Sequence, residues 1–393
     1  MRAVTWHGKR DVRVDTVEDP RIEEPTDAII RVTSSGLCGS DLHLIEVLMA
    51  FMNEGDVLGH EPMGIVEEVG PGVTGLAVGD RVVVPFQIAC GSCFMCDLDL
   101  QTQCETTQNT EHGTGADLFG YSELYGSVAG GQAEYVRVPQ AHYGPIKVPQ
   151  GPPDDRFLFL SDVLPTAWQS VVYADVPPGG TLAVLGLGPI GEMATRVAQH
   201  QGVERVIGVD LVDDRLRRAA SHGVETLDVR DHADVGAALR EMTAGRGADA
   251  VIDAVGMEAH GSPVATIAHK AMSYLPDSLG QKLMTTMGVD RLAALHAAID
   301  GVRRGGTVSV IGVYGGAADP MPMMTMFDKQ IQLRMGQANV KRWADDILPL
   351  LSDDDPLGVD DFATHHVPLS QAPDAYRSFQ AKDDGMFKTV FVP

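Results

Sequence analysis

The stretch TLAVLGLGPIGEMATRVAQHQGVERVIGVD, residues 181–210, is the one from which the rest of the chain can be placed. A short apolar run leads directly into Gly186, Gly188 and Gly191 at G-x-G-x-x-G spacing. A segment of helical periodicity follows, then a second apolar run that ends at Asp210. A glycine triplet by itself says little. Between a strand and a helix it says more, because glycine allows the tight turn, lets the backbone approach a pyrophosphate, and presents that charge to a helix N-terminus. Pro189 and Ile190 complete the loop. Asp210 can accept bonds from the hydroxyls of an adenine ribose and would repel a 2′-phosphate. The pattern therefore predicts NAD rather than NADP, with Arg215 near enough in sequence to soften the preference. FAD also uses such a loop, but usually near an N-terminus.

Outward from this loop, ADAVIDAVG (248–256) and GTVSVIGVYGG (306–316) read as further buried parallel strands, so the region is α/β, a doubly wound parallel sheet of the Rossmann type. Val255 and Ile311, at the ends of these two runs, are assigned to the cofactor. About 45 residues separate the first run from VRRGGTVSVIG, more than one crossover helix needs. An insertion is expected at about 258–290, either a surface elaboration or a lid or oligomer contact. Before the loop, DAIIRVTSSG, GIVEEVGPGV and GDRVVVPF are short β-branched segments punctuated by Gly and Pro, the pattern of a β-rich domain. The closing GMFKTVFVP reads as a strand that returns to that domain. The expected organisation is a β-rich domain over 1–162, a nucleotide-binding domain over 163–332, and a return to the first domain over 333–393.

The 393 residues carry 30 Lys and Arg against 54 Asp and Glu, a formal charge of −24. Such a surface repels nucleic acid and anionic lipid. No run approaches the roughly 18 apolar residues of a membrane span, and the first residues lack a signal-peptide core, so a cytoplasmic location is expected.

Of five cysteines, Cys90, Cys93, Cys96 and Cys104 fall within CGSCFMCDLDLQTQC with gaps of two, two and seven residues. Four thiolates so spaced can close a tetrahedral shell around Zn²⁺, the arrangement of a structural site in a lobe at about 88–106. An iron–sulfur cluster would use the same residues, and disulfides are disfavoured by cytosolic redox poise. The fifth, Cys38, lies in GLCGSDLH, followed by His60 and Glu61 in GHEPMGIVEEVGPGV. A catalytic zinc needs three protein ligands and an open position, and Cys38 and His60 supply two. Asp162 lies in the apolar run RFLFLSDVLPTAWQS (156–170), where an ionised carboxylate needs a partner. It is either the third ligand or the cap of a helix beginning near Pro165.

Together these residues resemble the zinc-containing medium-chain alcohol dehydrogenases over essentially the whole chain. The family's G-H-E-x-x-G-x-x-x-x-x-G-x-x-V signature fits at Gly59, His60, Glu61, Gly64, Gly70 and Val73, and the four-cysteine lobe fits its spacing. FLSDVLPTAW, the long insertion and VRRGGTVSVIGVYGG resemble the glutathione-independent formaldehyde dehydrogenases, in which an aspartate replaces the second catalytic cysteine. The resemblance implies a GroES-like catalytic domain, two zinc ions per chain, and Asp162 as a ligand of the catalytic one. It implies that Ser40 receives the substrate proton, that His43 passes it outward, and that Asp41 orients the ligating histidine. Glu61 corresponds to an acidic residue beside the metal, Phe86 and Thr166 to the linings of the substrate and nicotinamide pockets, and Lys388 to a basic residue near the pyrophosphate. Gly39 departs from the family, several members of which carry a basic residue there against the cofactor phosphates. The insertion resembles a segment that covers the adenine end of NAD and predicts tight cofactor retention.

The implied activity is an NAD-dependent zinc enzyme that takes hydride from a primary alcohol or a hydrated, formaldehyde-like aldehyde. A polyol or secondary-alcohol dehydrogenase is the rival reading. A non-catalytic NAD-binding protein is the rival from another class. Family members form homotetramers or homodimers through the edge of the Rossmann sheet, which corresponds to the neighbourhood of GTVSVIGVY.

Overall fold

The computed structural model describes residues 1–256, 292–314, 321–351, 354–383 and 385–393, so the insertion expected at about 258–290 lies outside the described residues. The chain divides into two compact units, Met1–Pro165 with Ala338–Pro393, and Thr166–Gln337.

In the first unit, β1 (Arg2–Trp6) and β2 (Val12–Thr16) form an antiparallel pair. A seven-stranded sheet contains β3 (Ala28–Leu37), β4 (Glu61–Val69), β5 (Arg81–Val83), β6 (Tyr135–Val138), β7 (Ile146–Lys147), β14 (His365–Pro368) and β15 (Thr389–Val392). Its order is β14-β15-β3-β4-β5-β7, with β6 also on β3. The long strand β3 organises it: residues 28–31 pair with β6 and residues 35–37 with β15, so the closing segment does complete the first unit's sheet. One apolar cluster, including Ile30, Val66, Val82, Phe119 and Val136, fills one part of this unit. Another, including Leu37, Leu44, Leu58, Tyr376 and Phe391, fills the rest.

The same strands bring the chemistry-bearing residues together. Strand β3 ends at Leu37, and Cys38 follows directly, before helix α1 (Gly39–Glu46). His60 precedes β4, and the register Gly36↔Glu61 sets the end of β3 beside the start of β4. A Cβ at Gly36 would stand 2.2 Å from Glu61 Oε2, so only glycine leaves room for that carboxylate. Asp162 joins the 3₁₀ turn Phe159–Ser161 to helix α2 (Val163–Ala174) and directly precedes its first residue. Pro165 is accommodated in its first turn, where no intrahelical N–H bond is lost.

The second unit is a six-stranded sheet of β8 (Thr181–Leu185), β9 (Arg205–Asp210), β10 (Glu225–Asp228), β11 (Ala248–Asp253), β12 (Val302–Val310) and β13 (Gln332–Met335). Every pairing is parallel, in the order β10-β9-β8-β11-β12-β13. Parallel strands covered on both faces read as continuous apolar runs, and Ala183, Ile207, Val209, Val251, Ile299 and Val308 form their core. The chain winds in opposite directions from β8 and β11, which opens a ligand crevice at their carboxyl ends. There the glycine loop turns into helix α3 (Pro189–His200), with Pro189 at its first position. One expectation needs correction. GTVSVIGVY lies largely in β12, which has β11 and β13 on its two sides, so among the described residues the edge strand on that side of the sheet is β13.

Candidate metal centres and cofactor loop

Cys38, His60, Glu61 and Asp162 are all buried, and each offers one ligand atom within 4.8 Å of the other three. Cys38 Sγ lies 3.6 Å and His60 Nε2 3.4 Å from Asp162 Oδ2. Ordinary zinc–ligand bond lengths in a tetrahedron give edges of about 3.6 Å for sulfur–oxygen and about 3.4 Å for nitrogen–oxygen. The donor set therefore has the dimensions of a zinc shell. Its electrostatics agree. Burial and the nearby Asp162 carboxylate push the Cys38 thiol up. Burial opposes a charge on His60, but Asp41, Asp162 and Cys38 outweigh it and hold its pKa well above the usual imidazole value. Protons on the thiol and the imidazole answer the carboxylates here, and a metal ion would take the place of those protons.

Neighbouring residues hold this set. Asp41, in the first turn of α1, accepts from Cys38 N–H at 3.0 Å, and its other oxygen lies 3.2 Å from His60 Nδ1. Carboxylate on one ring nitrogen leaves the other, Nε2, for a metal. Ser40 Oγ stands 3.2 Å from Nε2, and His43 lies one turn further along α1, half-buried. The Phe86 ring meets His60 edge-on at 6.5 Å. Sequence reasoning missed three residues. Tyr121 packs edge-on against His60 at 6.3 Å. Gln132, fully buried, donates to Asp41 Oδ2 at 3.1 Å and accepts from the Tyr376 hydroxyl at 2.7 Å. No local motif announces the last pair, which is formed across 244 residues of chain.

Lys388, expected near the pyrophosphate, is bonded in the structure to the residue beside the metal cluster. Its ammonium donates to both oxygens of Glu61 at 2.6 Å and to Leu37 O at 3.0 Å, and both side chains are fully buried. An ammonium has three protons, and these three contacts account for all of them. Glu61 in turn is pushed up by burial, with Lys388 acting against that shift.

Cys90, Cys93, Cys96 and Cys104 form the second metal-sized cluster, with ligand atoms again within 4.8 Å of one another. Cys93 and Cys104 Sγ are 3.9 Å apart, close to the tetrahedral edge of about 3.8 Å expected for zinc–thiolate bonds. Backbone N–H groups of Cys90 and Glu105 donate to Cys104 and Cys93 sulfur, each at 3.3 Å. Burial raises the Cys90 thiol, but bonds from Thr106, Ser92 and Cys104 outweigh it and bring it to about 6. Few apolar residues, Ala89 and Ala116 with the sulfurs themselves, support the lobe.

In the cofactor loop, Gly186 has φ +84°, and a Cβ at Gly191 would stand 1.7 Å from Gly186 O. The backbone closes so tightly that side chains are excluded and a pyrophosphate can approach. Asp210, at the end of β9, accepts from Leu187 N–H at 2.7 Å through Oδ2, and Oδ1 accepts from Leu211 and Val212 N–H at 2.7 and 2.9 Å. Arg215 reaches Oδ2 at 3.6 Å and flanks Gly188. Val255 and Ile311 follow the carboxyl ends of β11 and β12, half-buried, on the side of the sheet that carries the loop. Thr166 is a buried residue at the start of the second unit.

Family models bear on both units. An alcohol dehydrogenase GroES-like domain matches residues 24–150, and a zinc-binding dehydrogenase model matches residues 189–272. These two matches, with the two candidate zinc sites, define a zinc-binding dehydrogenase. The chain belongs to the zinc-type alcohol dehydrogenase family, whose members are NAD-dependent oxidoreductases. It is 42% identical over 396 residues to the uncharacterized zinc-type alcohol dehydrogenase-like protein AdhB of Bacillus subtilis (strain 168), covering 100% of both chains. It is 32% identical to the formaldehyde dismutase of Pseudomonas putida, covering 98% of this chain and 96% of that one. The solved structure of alcohol dehydrogenase TADH from Thermus sp. ATN1 superposes with a TM-score of 0.80 at 33% identity, covering 100% of this chain and 99% of that one. Among the described residues no helix is long and apolar enough to cross a membrane.

Proposed function

We propose that this enzyme oxidises a small primary alcohol or a hydrated aldehyde of formaldehyde size and passes the hydride to NAD. The observation that carries the reading is the tetrahedral spacing of Cys38, His60 and Asp162. Zinc held there would supply the Lewis acidity that makes a substrate hydroxyl acidic near neutral pH, and NAD would accept the hydride. Ser40 Oγ, beside the ligand atoms, takes the substrate proton, and His43, one turn along α1, passes it outward. Asp41 fixes the ring orientation of His60, and Phe86 walls the substrate side. Gly186, Gly188, Pro189, Ile190 and Gly191 cradle the pyrophosphate, Asp210 takes the adenine ribose, and Arg215, Val255 and Ile311 flank the nucleotide.

Formaldehyde hydrate presents the same H–C–O arrangement as a primary alcohol, so one site serves both. The likeness to a formaldehyde dismutase supports that substrate class. The test is formaldehyde consumption without glutathione, with and without added NAD, following NADH, formate and methanol together. Formate with matching NADH identifies a dehydrogenase. Equal formate and methanol without added NAD identifies a retained cofactor that cycles between two substrates. No consumption, with turnover of sorbitol or 2,3-butanediol instead, would overturn the substrate class in favour of a polyol or secondary-alcohol dehydrogenase.

The chain is also proposed to act as a homotetramer or homodimer through the β13 edge. Exposed Leu333 and Met335 on that strand, with Met323, Met324 and Phe327 on the preceding helix, support this.

A further inference from the structure

Glu61 has two possible destinations for its carboxylate. One is Lys388, which it already engages through both oxygens at 2.6 Å. The other is the metal, because a Glu61 oxygen belongs to the same 4.8 Å cluster as the donor atoms of Cys38, His60 and Asp162. Four such donors would close a tetrahedral shell, as structural zinc sites do, whereas catalysis needs three protein ligands and an open position.

In the structure Lys388 is committed to Glu61 and the end of β3. Its three protons go to Glu61 and to Leu37 O, it is fully buried, and the Phe159 ring stands 5.8 Å from its nitrogen. A salt bridge at this depth is about neutral for stability beside apolar side chains of the same volume, so stability alone does not account for an ammonium here. Strand register holds it in place. Glu61 opens β4, Leu37 ends β3, and Lys388 immediately precedes β15, with the pairs Gly36↔Glu61 and Leu37↔Thr389 locking the three strands side by side.

We propose that Lys388 is a positioning residue that holds the Glu61 carboxylate off the catalytic metal and so keeps the fourth coordination position open for substrate. The inference rests on the reading of Cys38, His60 and Asp162 as the ligands.

Cobalt(II) in place of zinc tests it, with the metal-loaded protein as purified. Visible absorption is recorded for the unsubstituted enzyme, Lys388→Met, Glu61→Gln and the double variant, each as a difference from Asp162→Ala, which should retain only the cysteine site. Zinc release to a chelator is timed in parallel. The unsubstituted enzyme and Glu61→Gln should give the strong bands of four-coordinate cobalt. Lys388→Met should keep four-coordinate intensity but shift those bands, as a carboxylate replaces the exogenous ligand, and should release zinc about tenfold more slowly. The double variant should return to the unsubstituted spectrum. A folded Lys388→Met with unaltered spectrum and release rate overturns the proposal. So does Glu61→Gln alone altering the spectrum, since Glu61 would then be a resident ligand, and that comparison decides even if Lys388→Met fails to fold. Undiminished metal content in Asp162→Ala would instead remove the ligand assignment, and the proposal with it.

Discussion

An aspartate embedded in RFLFLSDVLPTAW is legible because burying a carboxylate is costly unless something pairs with it. Cysteine and histidine are legible for a similar reason, since so few side chains bind zinc that an isolated Cys38 and a nearby His60 stand out. Lys388 is not legible in this way. A lysine in sequence announces a cation but not its partner, and here the partner is a glutamate 327 positions away. Gln132 and Tyr376 are silent for the same reason, as uncharged residues whose role exists only through Asp41. Two outcomes are expected at this scale. Asp162→Ala should lower the zinc content from two ions to one and cut turnover by at least about a hundredfold, measured by elemental analysis and NADH formation. Gln132→Leu, which strips support from Asp41, should weaken zinc binding at the catalytic site about tenfold in a chelator competition while the cysteine site is unaffected.

At the scale of elements, the strand–loop–helix around Gly186 and the cysteine lobe were both readable, because each is specified by residues close together in the chain. The edge of the Rossmann sheet was misplaced, because QLRM (332–335) is too short and too polar to read as a strand until β12 pairs with it. Gly191→Ala is expected to abolish NADH binding in a fluorescence titration and to lower thermal stability, since its methyl would collide with Gly186 O. Removing the structural metal is expected to unfold the lobe around Cys90–Cys104, which has little apolar core of its own. A chelator should therefore release zinc and expose the lobe to protease together, and more readily as pH falls, because protons compete for the thiolates.

For the whole molecule, the charge of −24 sets the main expectation. Self-repulsion of the folded surface should be screened by salt, so the melting temperature should rise between low and moderate NaCl concentrations. The proposed assembly should depend on the apolar patch beside β13. Phe327, 80% exposed in the single chain, is the residue to change, and Phe327→Glu should shift light scattering toward the monomer.

The interleaving of the two units also bears on biogenesis. All four residues of the catalytic cluster leave the ribosome before Thr166, whereas Lys388 and β15 follow only after the entire second unit. Domains generally fold as units, and this one lacks β14, β15 and part of its core until the last residues are made. The four cluster residues therefore wait through the synthesis of the whole second unit before their frame can close. Stable metal loading is then expected to follow chain completion, with the Glu61 carboxylate claimed by its ammonium in the same folding event.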